Sequence, residues 1–171
     1  ENPALHALAW CIGRYQGGVK AAGIGAPLAF IDFAAFVEAA NVADANGWTI
    51  GGQVTTAARK WDVLAAMLAA GGAVPCRQGA LISCFVSAPK TAVGQIDQGD
   101  ILGPATVAAT QSRRDRINRV VPRYRSEDHR WEYVAAGAVQ VDEYVTEDGG
   151  ETRTREIQFD LVQQSEQARQ L

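Results

Sequence analysis

Histidine and cysteine are scarce in this chain, and their scarcity removes whole classes of chemistry. Neither histidine, His6 or His129, shares a metal-ligand spacing with the three cysteines, Cys11, Cys76 and Cys84, so no zinc-site pattern is present. An odd thiol count also argues against a disulfide framework. With Gln78-Gly79 as a hairpin turn, Cys76 would fall opposite Leu81 and Cys84 opposite Ala73, too far apart to bridge. The thiols are therefore expected to be small buried hydrophobes in a protein made in a reducing compartment. Long apolar runs are lacking as well. The longest uncharged one, Val63 to Cys76, is broken by Gly71-Gly72 and Pro75 and falls short of the roughly 20 residues a membrane span needs. The chain opens on Glu1 rather than Met, with no signal-like stretch behind it, which suggests a piece cut from a longer polypeptide.

Catalytic devices are missing too. A general base needs a pocket and a partner; His6 lies among helical leucines and His129 in a polar turn between Asp128 and Arg130, so structural or surface roles are expected. The carboxylate pairs Glu127-Asp128, Asp142-Glu143 and Glu147-Asp148 are adjacent in sequence. In extended chain such neighbours point to opposite faces, and no calcium-loop spacing surrounds them, so they read as solvated turns. Gly18 to Gly25 lacks the order of a dinucleotide-binding loop, and Ser83 and Ser87 lack the glycines of a nucleophile elbow. The expectation is a protein that is not an enzyme and takes no cofactor or metal.

What is present is ordinary globular composition, 47% hydrophobic and 20% charged, enough for a folded core within 171 residues. The net charge of -3 hides an asymmetry: six arginines lie between Arg113 and Arg125, while Asp142 to Glu151 is acidic. Alternation along a strand would spread those arginines over two faces, and acidic neighbours are close, so nucleic-acid binding is not expected.

Asn2-Pro3 is a helix start, and Leu5, Leu8, Ala9 and Ile12 follow at helical spacing before Gly13, which predicts a helix over 3–12. Gly17 to Gly25 reads as a loop. Asp32 then caps a helix over 33–45 with Phe33, Phe36, Val37 and Ala40 as its apolar face, closed by Asn46-Gly47. Trp48 to Ile50 and Gln53 to Thr55 read as extended pieces about Gly51-Gly52. A third helix over 57–70, capped by Thr56, carries the stripe Trp61, Leu64, Ala65 and Leu68. A hairpin over 73–87 follows, then a helical turn near Asp97 to Leu102 and a strand at Ala105 to Thr110. Further strands are predicted at Ile117 to Arg125, Glu132 to Val134, Ala138 to Val141 and Thr152 to Leu161. Pro122 has no N–H to donate, so its strand should be an edge or carry a bulge. Ser165 begins a final helix of barely two turns. Helices first and strands later make an α+β chain, with an α+β lobe over 1–110 and a β-rich, antiparallel portion over 111–171.

Three blocks, in this order, resemble the host-specificity or tip-attachment proteins of long-tailed phages, with relatives in prophages and gene transfer agents. The first is Asn2-Pro3-Ala4, its helix and Arg14-Tyr15. The second is Ile31-Asp32-Phe33-Ala34-Ala35-Phe36 followed by Trp61-Asp62-Val63-Leu64-Ala65-Ala66-Met67-Leu68-Ala69-Ala70 and the hairpin about Gly79. The third is Arg116-Ile117-Asn118-Arg119-Val120-Val121-Pro122-Arg123-Tyr124-Arg125-Ser126, with the later Arg155-Glu156-Ile157 and Ser165-Glu166-Gln167-Ala168-Arg169. The resemblance implies a segment of a trimeric tail-tip hub, made in the bacterial cytoplasm and carried in the virion, whose partners are its own copies and other tail-tip proteins. It carries over no catalytic residue. Arg119, Arg123, Tyr124 and Trp131 are the candidate interface residues, since interfaces favour arginine and aromatics. A second expectation from the same residues is a carbohydrate-binding module, with Trp131, Tyr133 and Tyr124 against sugars of the host envelope.

Overall fold

The computed structural model describes residues 1–55, 57–104, 106, 112 and 115–171. Its first half is built on three helices, and capping chemistry sets where two of them begin. Asn2 Oδ1 accepts from the amides of Ala4 at 2.9 Å and Leu5 at 3.3 Å, opening α1 (Pro3–Ile12). The same side chain donates from Nδ2 to Ala40 O at 2.8 Å and Asp44 Oδ1 at 2.7 Å. One asparagine thus caps the first helix and ties it to α2 (Phe33–Ala45), whose own cap is Asp32. The third helix, α3 (Lys60–Ala69), starts later than its sequence pattern suggests, after an Arg59 that makes no side-chain cap; the expected cap Thr56 lies outside the described residues.

The helices pack through small residues rather than through the large ones their periodicity brings forward. The buried face of α1 is Pro3, Ala4, Ala7 and Cys11, and that of α2 is Phe36, Ala39, Ala40 and Ala43. Leu5, Phe33 and Val37 stay exposed, because alanine faces let helix backbones approach and leave bulky neighbours at the margin. Helix α3 contributes Val63, Leu64, Met67 and Leu68, with Trp61 only half-buried beside them.

Between α1 and α2 the expected loop contains a hairpin, β1 (Arg14–Gln16) and β2 (Val19–Ala22). Gly17 and Gly18, at φ 57° and 80°, supply the paired left-handed residues of a tight primed turn. A 3-10 turn, Leu28–Phe30, leads into α2. The predicted extended pieces around Gly51-Gly52 form no ladder among the described residues. They are held by backbone bonds from Ile50 N to Glu1 O at 3.0 Å and Gly51 N to Leu161 O at 3.1 Å.

Strands β3 (Ala73–Gln78) and β4 (Leu81–Val86) pair with Gln78 opposite Leu81, so the turn is Gly79-Ala80. This corrects the expected register: Cys76 faces Ser83, and Cys84 faces Pro75. The two thiols are neighbours along the ladder on opposite faces, and all three cysteines are free. Asp32 N bonds Ile82 O at 2.9 Å, and Ser83 Oγ bonds Asp32 Oδ2 at 2.9 Å, which fixes the start of α2 on the hairpin. The expected helical turn is present at Gln98–Asp100, closed by reciprocal bonds between Asp97 and Asp100. The strand expected at Ala105 to Thr110 lies, apart from Thr106, outside the described residues.

The second half is a sheet centred on β5 (Arg119–Ser126). Strand β6 (Glu132–Ala135) pairs antiparallel with residues 123–126 and β7 (Val139–Gln140) with residues 119–120. On the other side β8 (Thr154–Gln158) runs parallel to β5, so the sheet is mixed rather than wholly antiparallel. The reason is the connection: β7 ends beside Arg119, and a helix missed in the sequence, α4 (Asp142–Glu147), carries the chain around that end of the sheet. Asn118 holds this crossover. It donates from Nδ2 to Asp148 Oδ2 at 3.1 Å and Glu151 O at 2.9 Å, and accepts from Arg153 N at 2.7 Å. Asp148, expected as a solvated turn residue, is instead bonded by Arg116 at 2.9 Å. Pro122 stands in a central strand, against the expectation of an edge or bulge; it falls where pairing passes from β7 to β6, and its carbonyl still accepts from Ala136 N at 2.9 Å.

Helix α5 (Ser165–Gln170) closes the chain. Ala136, Leu161, Val162 and Ala168 join the helical core in one continuous cluster, so the chain is an α+β fold with its three longer helices first and its larger sheet after them. Among the described residues no helix is long and apolar enough to cross a membrane.

Candidate functional site

Strand alternation decides what β5 presents. Residues 119, 121, 123 and 125 share one face and Val120, Pro122, Tyr124 and Ser126 the other. The arginines of this strand therefore sit together, correcting the expectation that alternation would divide them; Arg113 and Arg114 lie outside the described residues. Tyr124 packs against the core with Pro122 and Ser126 buried beside it, so it is the candidate residue that does not reach the arginine face. Arg123 pairs with Glu156 on β8 at 3.2 Å, and its Nε is buried with no hydrogen-bond partner among the described residues. Arg119 lies opposite Gln140 on one side and Thr154 on the other.

At the far end of this face Arg125 organises a cleft of about 660 Å³. Its guanidinium stacks on the Tyr133 ring, 4.2 Å from the centroid, and donates to Tyr133 Oη at 2.8 Å and to Trp131 O at 2.9 Å. Tyr133 in turn donates to Asp160 Oδ1 at 2.6 Å, and Gln158 donates to the same oxygen at 3.0 Å. Partial burial, then the bond to Asp160, raises the Tyr133 hydroxyl above its ordinary pKa. Burial alone would raise Asp160 as well; the bonds from Gln158 and Tyr133 and the charge of Arg125 outweigh it and hold this carboxyl below its ordinary value.

The turn from Ser126 to Trp131 aims an aromatic ring at the cleft. Trp131 N bonds Ser126 O at 2.8 Å, and Ser126 Oγ meets His129 Nδ1 at 3.0 Å. Arg130 and Trp131 adopt φ of 56° and 64°, a conformation that non-glycine residues take at a cost. Trp131 remains 45% exposed and lines the cleft with Leu161, Gln163, Gly52 and Gln53. Leu161 lies so close to Gly52 that a Cβ there would stand 2.7 Å from its Cδ2, so glycine is what lets the two segments meet.

Of the candidate residues, the structure brings Trp131 to the cleft, leaves Arg119 and Arg123 along the sheet face, and directs Tyr124 to the core. Arg125 was not among the candidate interface residues, and Asp160 and Gln163 were not singled out from the sequence. For Arg125 a signal existed, its alternation with Arg123 ahead of Tyr133; Asp160 and Gln163 reach the cleft only through the parallel return of β8. Among the described residues no three metal-ligating side chains converge. No protein-family model matches this chain, and no curated protein matches it.

Proposed function

We propose that this chain is a central segment of the hub at the tip of a phage tail, a structural protein whose copies close around an axis and join the tail tube to the host-recognition parts. The observation that carries this reading is the ordered resemblance of three blocks covering most of the chain, of which the third contains the central strand of the larger sheet, Arg119–Ser126. Two features fit such a role. The Arg119, Arg123 and Glu156 face is polar and suits a wet surface between subunits or along a lumen. Strand β8, exposed along its whole length, pairs only with β5 among the described residues, and an open strand edge is a ready site for pairing with another chain.

The function is assembly, with no bond made or broken by this segment. The test is gold-labelled antibody raised against the chain and applied to particles released from the source cells. Labelling confined to the tail tip supports the reading. Particles labelled on head or tube, or intact tailed particles that lack the chain, would overturn it.

A further inference from the structure

The cleft beside Arg125 combines features that no contact within the sheet accounts for. Its volume, about 660 Å³, falls within the range of small-ligand sites, roughly 300–1,000 Å³. One wall is the half-exposed indole of Trp131, held by the Arg125 bond to its carbonyl. Asp160 lines the same cleft and has an open oxygen: among the described residues its Oδ2 accepts no hydrogen bond, although its Oδ1 accepts two. Gln53 and Gln163 also line the cleft.

From this arrangement we infer that the cleft binds a neutral sugar residue. A pyranose presents an apolar face of C–H groups, which stacks on an aromatic ring, and a rim of hydroxyls, which need donors and acceptors at fixed positions. Trp131 supplies the ring. Asp160 Oδ2 accepts from hydroxyls, and the amides of Gln53 and Gln163 both donate and accept. The lining pairs one cation, Arg125, with one anion, Asp160, so it has no net charge to draw in an acid, and Arg125 already donates to Tyr133 Oη and the Trp131 carbonyl. Tyr133 fixes Asp160 and is a positioning residue. This assignment stands whether or not the chain belongs to a tail tip.

The test is an NMR titration of the ¹⁵N-labelled chain with methyl α-glucoside, methyl β-galactoside, N-acetylglucosamine and, as the acidic probe, N-acetylneuraminic acid. The expected result is saturable shifts of the Trp131 indole N–H and the Gln53 and Gln163 side-chain amides with at least one neutral sugar, at millimolar affinity. Trp131→Ala and Gln163→Ala should each weaken that binding about tenfold or more, with the rest of the spectrum confirming a native fold; Tyr144→Ala, an exposed aromatic outside the cleft, should leave it unchanged. No saturable shift with any neutral sugar, or shifts indifferent to both cleft variants, would overturn the site. Tighter binding of the acidic probe than of every neutral one would overturn the class of ligand.

Discussion

Gln167, in the last helix, donates a hydrogen bond of 2.7 Å to the carbonyl oxygen of Ala70, which lies 97 residues earlier at the end of α3. The same Nε2 reaches Thr49 O at 2.9 Å, and Oε1 accepts from Thr49 N at 3.2 Å. A helix of six residues is too short to persist alone; it is held here by a buried amide that satisfies three backbone groups.

Replacing Gln167 with leucine keeps the bulk but leaves Ala70 O, Thr49 O and Thr49 N without that partner. Each unsatisfied buried group costs about 1–3 kcal/mol. Gln167→Leu is expected to lower unfolding stability by about 2–4 kcal/mol, read from urea denaturation. Loss below about 0.5 kcal/mol would mean that α5 contributes little to the fold.

Asn118 occupies the equivalent place in the second half, bonding Asp148, Glu151 and Arg153 at once. Asn118→Ala should loosen the crossover from β7 to β8. Hydrogen exchange is the discriminating measurement: amides of β8 should lose protection before those of α1 and α2. Uniform loss across the chain would show that the crossover does not open by itself.

The starts of α1 and α2 were legible because their signals are local. Asn2-Pro3 and Asp32 cap α1 and α2 at the positions read from the sequence. The thiol register was not, because moving the turn from Gln78-Gly79 to Gly79-Ala80 shifts every partner by two, and nothing local distinguishes the two turns. The cleft was illegible for a deeper reason. Trp131 and Tyr133 stand beside Arg125 through antiparallel pairing that a turn can suggest, but Asp160 and Gln163 arrive by a parallel strand whose place depends on α4 and Asn118. A contact made by a crossover leaves no periodicity in the sequence.

Acid should probe two carboxyls. The hydrogen bond from Arg116 holds Asp148 below its ordinary pKa, with the Asn118 bond adding to it, and Asp160 is also lowered despite its burial. A carboxyl depressed in the folded state stabilises above its unfolded pKa, about 3.9, and that contribution disappears as pH falls through the folded value. Wild-type stability should therefore decline from about pH 5 downward. The Asp148→Asn and Asp160→Asn variants should each show a shallower decline in urea titrations. An unchanged slope in both would refute the two pairings.

Thiol reactivity follows from burial. Burial pushes the Cys84 thiol up to about 12, with Cys76 and Asp32 nearby adding to it, and burial pushes Cys11 to about 11. The thiolate is the reactive form, so at mildly alkaline pH a thiol reagent should modify Cys76, which is half-buried, and spare the other two until denaturant is added. Rapid reaction of all three cysteines in the native protein would contradict the packing of β4 against α2 and of α1 against α2 and α3.

The turn that presents Trp131 carries a strain that can be relieved without touching the cleft. Arg130, exposed and at φ 56°, occupies a conformation that costs a non-glycine residue about 1–2 kcal/mol. Glycine adopts it freely but gives up about 0.5–1 kcal/mol through the flexibility of the unfolded chain. Arg130→Gly should therefore be more stable than the natural chain by about 0.5–1 kcal/mol, a rise in Tm of roughly 1–4 °C for a chain of this size. Arg130→Val, with a branched Cβ that crowds the left-handed backbone, should fall below the natural chain. The order Gly, Arg, Val in thermal denaturation tests the turn geometry directly. The reverse order would show that residue 130 does not hold the left-handed conformation of the turn that brings Trp131 to the cleft.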